Sequence, residues 1–269
     1  MLVVTNLCKT YGKDQDAVET IRDMSLRIER GQFVCVVGPS GAGKTTLLRC
    51  LTGLLPVSGG SVRLNDAEVT SPPAEMAVVF QDYSRSLMPW LTVATNVGLP
   101  LRNKIRDSRV RRARVEEALE QVGLGGFGSR YPWQLSGGMQ QRVAIARGLA
   151  YQPEILLMDE PYASVDAQTR ADLEDLILRI RAEAGLTVVL VTHDIDEAVY
   201  LADRVVVLSK RPATVLRDIT VDLPLPRDQV ATKSLARFAE LRSTVFQLIR
   251  GGDRSFEDPA EFAVGQTQR

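Results

Sequence analysis

Histidine is nearly absent from this 269-residue sequence, with His193 standing alone, and cysteine is sparse at Cys8, Cys35 and Cys50. An odd number of widely spaced cysteines fits neither a disulfide framework nor a zinc site, so the sequence points to a reduced, cytoplasmic setting. Excess charge of either sign is also missing: Lys plus Arg and Asp plus Glu both total 33. Nothing global therefore argues for nucleic acid. A local basic cluster at Arg106, Arg109, Arg111, Arg112 and Arg114 is followed at helical spacing by Glu116, Glu117 and Glu120, which predicts a solvated, salt-bridged helix face. No apolar run approaches the ~18 to 20 residues that span a bilayer, and no basic n-region with an apolar h-region opens the sequence. Work at a membrane would need another chain to supply the span. What is present is an apolar fraction of 45% and a charged fraction of 25%, the balance of an ordinary globular protein with a sizeable core.

The most specific stretch runs from Gln32 to Leu48, QFVCVVGPSGAGKTTLL. An apolar strand, Phe33 to Val37, feeds a loop of Gly38, Pro39, Ser40, Gly41, Ala42, Gly43, Lys44, Thr45 and Thr46, and a leucine-bearing helix follows. Gly38, Gly43, Lys44 and Thr45 keep the spacing of a phosphate-binding loop. Glycines let backbone N–H groups close around phosphate oxygens, and the following helix N-terminus favours negative charge. Lys44 is suited to β- and γ-phosphates and the Thr45 hydroxyl to Mg²⁺.

Before the loop, Leu2 to Val4, Ala17 to Ile21 and Met24 to Ile28 read as short strands of an antiparallel β-layer around a turn at Tyr11-Gly12-Lys13. After it, Ser61 to Leu64 and Met76 to Phe80 read as strands. From about residue 85 to 150 the pattern is helical, with helices at Val110 to Val122 and Met139 to Ala150. Strand patterns return at Ile155 to Met158, Thr187 to Val191 and Val205 to Leu208, alternating with helices at Gln168 to Ala184 and Ile195 to Ala202. That alternation predicts an α/β fold, a mostly parallel sheet carrying an inserted helical subdomain. One domain over residues 1–215 is expected, then a packed extension over 216–269 with one amphipathic helix bearing Leu235, Phe238, Leu241, Val245 and Ile249, and a polar tail from Gly251 to Arg269.

Other residues gather at predicted strand ends. Asp159 and Glu160 follow Ile155 to Met158, at the sheet edge where open α/β sheets bind ligands. Asp159 suits Mg²⁺, and Glu160 suits orienting and deprotonating an attacking water. His193 follows the strand Thr187 to Val191 at the same edge. Gln81, after Met76 to Phe80, is placed to touch metal or water at the hinge to the helical segment. Tyr11 offers a stacking surface for an adenine ring, with an exposed turn tyrosine as the rival reading. Met88, Pro89, Trp90 and Leu91 form an apolar cluster, either a docking groove or core. A second anion-suited helix start, Ser136-Gly137-Gly138, lies about ninety residues from the first, so the two serve either two ligands or one ligand across a dimer.

With these residues in view the chain resembles the ATP-binding cassette ATPases, the phosphate-loop (RecA-like) motor subunits of membrane transporters. Tyr11, GPSGAGKTT at 38 to 46, Gln81, LSGGMQQR at 135 to 142, ILLMDEP at 155 to 161 and His193 carry the likeness in order, over residues 1 to about 215. LSGGMQ is close to diagnostic, since other phosphate-loop NTPases lack it. The resemblance implies ATP and Mg²⁺ bound in a head-to-tail homodimer, with Ser136, Gly137 and Gly138 contacting the γ-phosphate of the other copy. It also implies Glu160 as general base, His193 as γ-phosphate sensor, Gln81 as the link to the partner and Asp166 in a dimer-crossing loop. VFQDYSRSLMPWLTVATNV, YPWQLSGGMQQR and VTHDIDEAVYLADRVVVL are similar to importers of nitrate, sulfonates, taurine and related anions. That finer likeness implies integral membrane permease subunits, a substrate-binding protein at one remove, and a place on the cytoplasmic face of the membrane. A cassette ATPase acting on nucleic acid or ribosomes is the alternative, but the long coiled coil or second cassette usual there is not visible. A small-molecule kinase using the phosphate loop alone leaves LSGGMQQR unexplained.

Overall fold

Strand β3 (Phe33–Val37) is buried along its whole length, and its side chains divide between two cores. Phe33, Cys35 and Val37 enter one cluster, and Val34 and Val36 the other. The same period of two splits β7 (Ile155–Asp159), β8 (Thr187–Thr192) and β9 (Arg204–Leu208), which is why these strands read as continuous apolar runs. Each of these fully buried Val, Leu or Ile side chains contributes about 1.5–3 kcal/mol from apolar burial.

The computed structural model describes residues 1–12, 14–82, 86–163 and 165–251. Its main sheet runs β10-β9-β3-β8-β7-β6, where β6 is Met76–Val79 and β10 is Val215–Thr220. All pairings are parallel except β9 with β10. A second, antiparallel sheet has the order β2-β1-β4-β5, from Val18–Ile28, Leu2–Tyr11, Gly59–Leu64 and Ala67–Glu68. The second core lies between this sheet, α1 (Lys44–Leu51) and the main sheet. The first core covers the opposite face with the helices: α2 (Val93–Gly98), α3 (Ser108–Gln121), α4 (Gly137–Ala150), α5 (Ala167–Ala184), α6 (Ile195–Leu201) and α7 (Ala236–Gly251).

Side chains before the helices set their starts. Thr92, Asp107, Ser136, Asp166 and Asp194 each accept a hydrogen bond from a first-turn N–H of the helix that follows. Glycine at 185, with φ of 61°, ends α5.

Four local expectations change. Ala17 to Ile21 and Met24 to Ile28 are one strand, because Asp23 takes a positive φ and the pairing with β1 continues across register shifts. The main sheet runs past residue 215, since β10 forms a hairpin on β9 that periodicity did not disclose in a half-exposed edge strand. On α7 the buried positions are Phe238, Leu241, Val245 and Leu248, whereas Leu235 is exposed ahead of the helix. Among the described residues no ion pair joins the Arg106 to Arg114 cluster to Glu116, Glu117 or Glu120; Arg111 instead donates to the carbonyls of Ile105 and Arg106. The polar tail beyond Gly251 lies outside the described residues.

The extension after β10 is packed through the apolar face of α7 and through polar contacts. Gln229 donates to Glu174 and Asp175 of α5 at 3.0 and 2.9 Å, and the Lys233 ammonium lies 4.7 Å from the Tyr200 ring centroid on α6.

Candidate functional site

Three parallel strands end side by side and deliver the polar groups. β3 leads into the glycine-rich loop, β7 ends on Asp159 with Glu160 next, and β8 ends on Thr192 with His193 next. Their pairing in register, Val37 with Thr192 and Asp159 with Val191, fixes the relative heights of these groups.

The loop closes on itself through Lys44. Lys44 is 6% exposed, and its ammonium donates to the carbonyls of Gly38 and Pro39 at 2.9 and 3.1 Å. Burial lowers its pKa, opposed by the charges of Glu160 and Asp159. Gly43 immediately before α1 has φ of 101°, and a Cβ there would come within 2.9 Å of the Thr20 methyl. That close approach accounts for glycine at this position.

Thr45 and Asp159 meet across the loop. The Thr45 hydroxyl donates to Asp159 Oδ1 at 3.2 Å. Asp159 is 5% exposed, and burial raises its pKa against the opposing hydrogen bond from Thr45. Among the described residues no group of three metal-ligating side chains forms. A hydroxyl and one carboxylate nevertheless fit Mg²⁺, which keeps several waters and takes its remaining ligands from phosphate oxygens.

Glu160 sits in the left-handed region at φ of 44°, a conformation that costs a non-glycine residue about 1–3 kcal/mol. Its N–H is held by the Val191 carbonyl at 2.8 Å. The carboxylate Oε2 lies 3.0 Å from His193 Nδ1 and accepts from Gln81 Nε2 at 3.4 Å. The structure thus brings Gln81 to Glu160; no hydrogen bond links it to Thr45 or Asp159. Tyr11, 41% exposed, stands beside the far end of the loop with its hydroxyl 3.3 Å from Thr46 Oγ1.

Ser136 and Gly137, exposed, and the half-buried Gly138 form the start of α4, where the Ser136 hydroxyl accepts from Met139 N–H at 3.3 Å. Gly138 is required by packing: an added Cβ would lie 2.3 Å from Thr169 Cγ2 on α5. Thr169 in turn donates through both its N–H and its hydroxyl to Asp166, at 2.9 and 2.7 Å, and these bonds hold the Asp166 carboxyl below the usual range. None of the three joins the hydrogen bonds around Lys44, Asp159 and Glu160 within one chain.

Sequence reasoning passed over a layer next to Glu160. Thr192 donates to Glu197 Oε2 at 3.1 Å, Asp194 N–H donates to Thr192 Oγ1 at 3.0 Å, and Arg170 Nη1 donates to Asp194 Oδ2 at 2.8 Å. The only sequence signal was Asp194 three residues before Glu197, which reads as a helix start.

Comparison with known proteins agrees with this geometry. Residues 21–163 match the ABC transporter family. The chain is 42% identical to the aliphatic sulfonates import ATP-binding protein SsuB of Bacillus licheniformis, over 90% of this chain and 88% of that protein. It is 39% identical to the nitrate import ATP-binding protein NrtD of a Synechocystis strain, over 93% of this chain and 95% of the relative. Among solved structures, the ATP-binding cassette MJ0796, a dimer in a post-hydrolysis state with ADP and Pi, superposes with a TM-score of 0.73 at 35% identity, covering 82% of this chain and 99% of that one. With the loop, the strand-end acids and the second glycine helix start all in place, the chain belongs to the ABC transporter family.

Proposed function

We propose that this chain is the ATP-hydrolysing subunit of an importer for a small anion such as nitrate or an organosulfonate, working as a homodimer on the cytoplasmic face of the membrane. Separate permease subunits carry the anion, and a substrate-binding protein delivers it. The carrying observation is the division of the site. Lys44, Thr45, Asp159, Glu160 and His193 gather at one sheet edge, while Ser136 to Gly138 form an anion-suited helix start that engages none of them in the same chain. A second copy placed head to tail supplies the missing half.

In this reading the loop N–H groups and Lys44 bind the phosphates, with Lys44 exchanging its two carbonyl contacts for phosphate oxygens. Thr45 and Asp159 would hold Mg²⁺, which neutralises charge on the β- and γ-oxygens when bound. Glu160 accepts the proton of the attacking water, and His193 orients that carboxylate from Oε2. Tyr11 stacks on the adenine.

Trp90, 70% exposed, offers the surface on which a permease segment docks. No described helix is long and apolar enough to cross a membrane, so the span belongs to those partners. The nucleic-acid alternative finds no support among the relatives. Isolation of the tagged chain from detergent-solubilised membranes tests the whole reading: a permease and an anion-binding protein are the expected companions. Ribosomes or DNA-processing proteins in their place would overturn it, and intact permease assembly in Trp90→Glu would remove the docking surface.

A further inference from the structure

Against the Glu160 and His193 pair lies a small cavity of about 40 Å³, lined also by Tyr162, Arg170, Thr192 and Glu197. Three polar atoms of its lining residues are buried and have no hydrogen-bond partner: Tyr162 Oη, Glu197 Oε1 and Arg170 Nε. Tyr162 is 1% exposed and Glu197 5%, so bulk solvent satisfies neither. An unmet buried polar group costs about 1–3 kcal/mol, and native proteins rarely leave three together. A polar cavity with room for a water and two to four partners is where ordered internal water sits.

We propose that this cavity is a built site for one ordered water, held by Tyr162, Glu197 and Arg170, and that through it Glu197 acts as a positioning residue for Glu160 and His193. The hydrogen bonds at Thr192 orient Glu197. Asp194 N–H donates to Thr192 Oγ1, and the Thr192 hydroxyl donates to Glu197 Oε2. With Oε2 taken up by the Thr192 hydroxyl, a neutral Glu197 places its proton on Oε1, the free atom, and donates it to the water. Arg170 Nε–H donates to the same water, which donates onward to Tyr162 Oη.

The groups surrounding Glu197 favour the neutral acid. Burial pushes its pKa well above the carboxylate range, and the charges of Glu174 on α5 and Asp194 push the same way. The Thr192 hydrogen bond, which outweighs the Asp194 charge, and Arg170 oppose the rise without reversing it. Tyr162 and Cys35, the other titratable neighbours, are both driven upward by burial and stay neutral.

The placement gives the water a task. Arg170 N–H is bonded to the Asp166 carbonyl at 2.9 Å, one turn into α5, and Arg170 Nη1 holds Asp194, the residue after His193. The water thus joins the start of α5, the His193 turn and the segment after Glu160. This role rests on the hydrolytic reading of Glu160 given above.

The test compares Tyr162→Phe, Glu197→Ala and Glu197→Gln in the full chain, with steady-state hydrolysis, equilibrium binding of a fluorescent ATP analogue, and thermal melts to confirm folding. Removing one hydrogen bond to the water in Tyr162→Phe lowers kcat roughly two- to tenfold without changing nucleotide affinity. Glu197→Ala lowers kcat at least as far. Glu197→Gln, whose amide donates as the neutral acid does, restores kcat relative to Glu197→Ala and removes the loss of rate at alkaline pH that ionisation of Glu197 produces. Wild-type kcat in folded Tyr162→Phe and Glu197→Ala overturns the positioning role, as does an equal loss of nucleotide affinity. A high-resolution crystal structure of the wild-type chain with no density at the cavity overturns the water site even if a variant fails to fold. Glu160→Gln serves as the control: hydrolysis at full rate there defeats the assignment of Glu160, while the crystallographic result still decides the water site.

Discussion

Glu160 Oε2 and His193 Nδ1 are 3.0 Å apart, each carried one residue beyond the end of a neighbouring parallel strand. A carboxylate held this way, in a strained backbone conformation and with a second bond from Gln81, is oriented before substrate arrives. On the proposed hydrolytic reading, Glu160→Gln keeps the shape and loses the base. Hydrolysis is expected to fall about 10²- to 10⁴-fold while ATP still binds, trapping a closed dimer visible as a shift in size-exclusion chromatography. Single-turnover hydrolysis at wild-type rate would remove Glu160 from this role.

The 3.2 Å contact between Thr45 and Asp159 predicts a divalent-cation dependence that both residues share. Chelation by EDTA should abolish hydrolysis. Asp159→Asn should raise the Mg²⁺ concentration for half-maximal rate about tenfold or more, with added Mg²⁺ restoring part of kcat. An unchanged Mg²⁺ titration in that variant contradicts the assignment.

Gly138 and Thr169 form a packing lock between α4 and α5. Gly138→Ala places a Cβ 2.3 Å from Thr169 Cγ2, which displaces the start of α4 or costs about 1–3 kcal/mol of overpacking. Thr169→Ser deletes that methyl and keeps the hydroxyl bonded to Asp166. The double variant should therefore recover most of the stability and activity that Gly138→Ala loses. A double-mutant cycle with no coupling would show that the contact does not limit the glycine.

Glu174 supplies a pH signature. It is 2% exposed, and burial raises its pKa above the ordinary value despite bonds from Gln229 and Lys233. The folded state therefore holds the proton more tightly than the unfolded one. Its stabilising contribution is complete below the unfolded pKa and falls as pH rises through the folded pKa. Glu174→Gln should flatten the decline of melting temperature as pH rises above the ordinary carboxylate range. Parallel curves for variant and wild type would show that Glu174 titrates alike in both states.

Gln141 on α4 is fully buried, and neither atom of its side-chain amide has a partner. Replacing it with a similar-sized apolar residue should stabilise the fold. Gln141→Met is expected to gain about 1–3 kcal/mol, seen as a rise of several degrees in melting temperature. A lower melting temperature would mean that the amide is satisfied in solution.

Much of this protein was readable in one dimension because its chemistry is local. Gly38 to Thr46 need only a strand before them and a helix after, and the apolar runs Phe33 to Val37, Ile155 to Met158 and Thr187 to Val191 announce strands buried on both faces. Carboxylates and a histidine at the ends of such runs fall at one sheet edge whatever the order of strands. The hairpin strand β10 stayed hidden because its side chains are largely exposed and carry no clean alternation. The merger of the two N-terminal strands into β2 depends on pairing with β1 across a bulge, a long-range fact.

What the sequence by itself determined is where the glycine-rich loop, the strand-end acids and the second glycine helix start lie, since each is a pattern of adjacent residues with its own physical requirement. Only the tertiary structure decided which of them touch. It set Glu160 against His193 and Gln81, paired Thr45 with Asp159, left Ser136 to Gly138 outside that cluster, and buried Tyr162, Arg170 and Glu197 around one small cavity. Those contacts join residues from tens to more than a hundred positions apart, and they are fixed by strand order and register, which the local sequence does not encode.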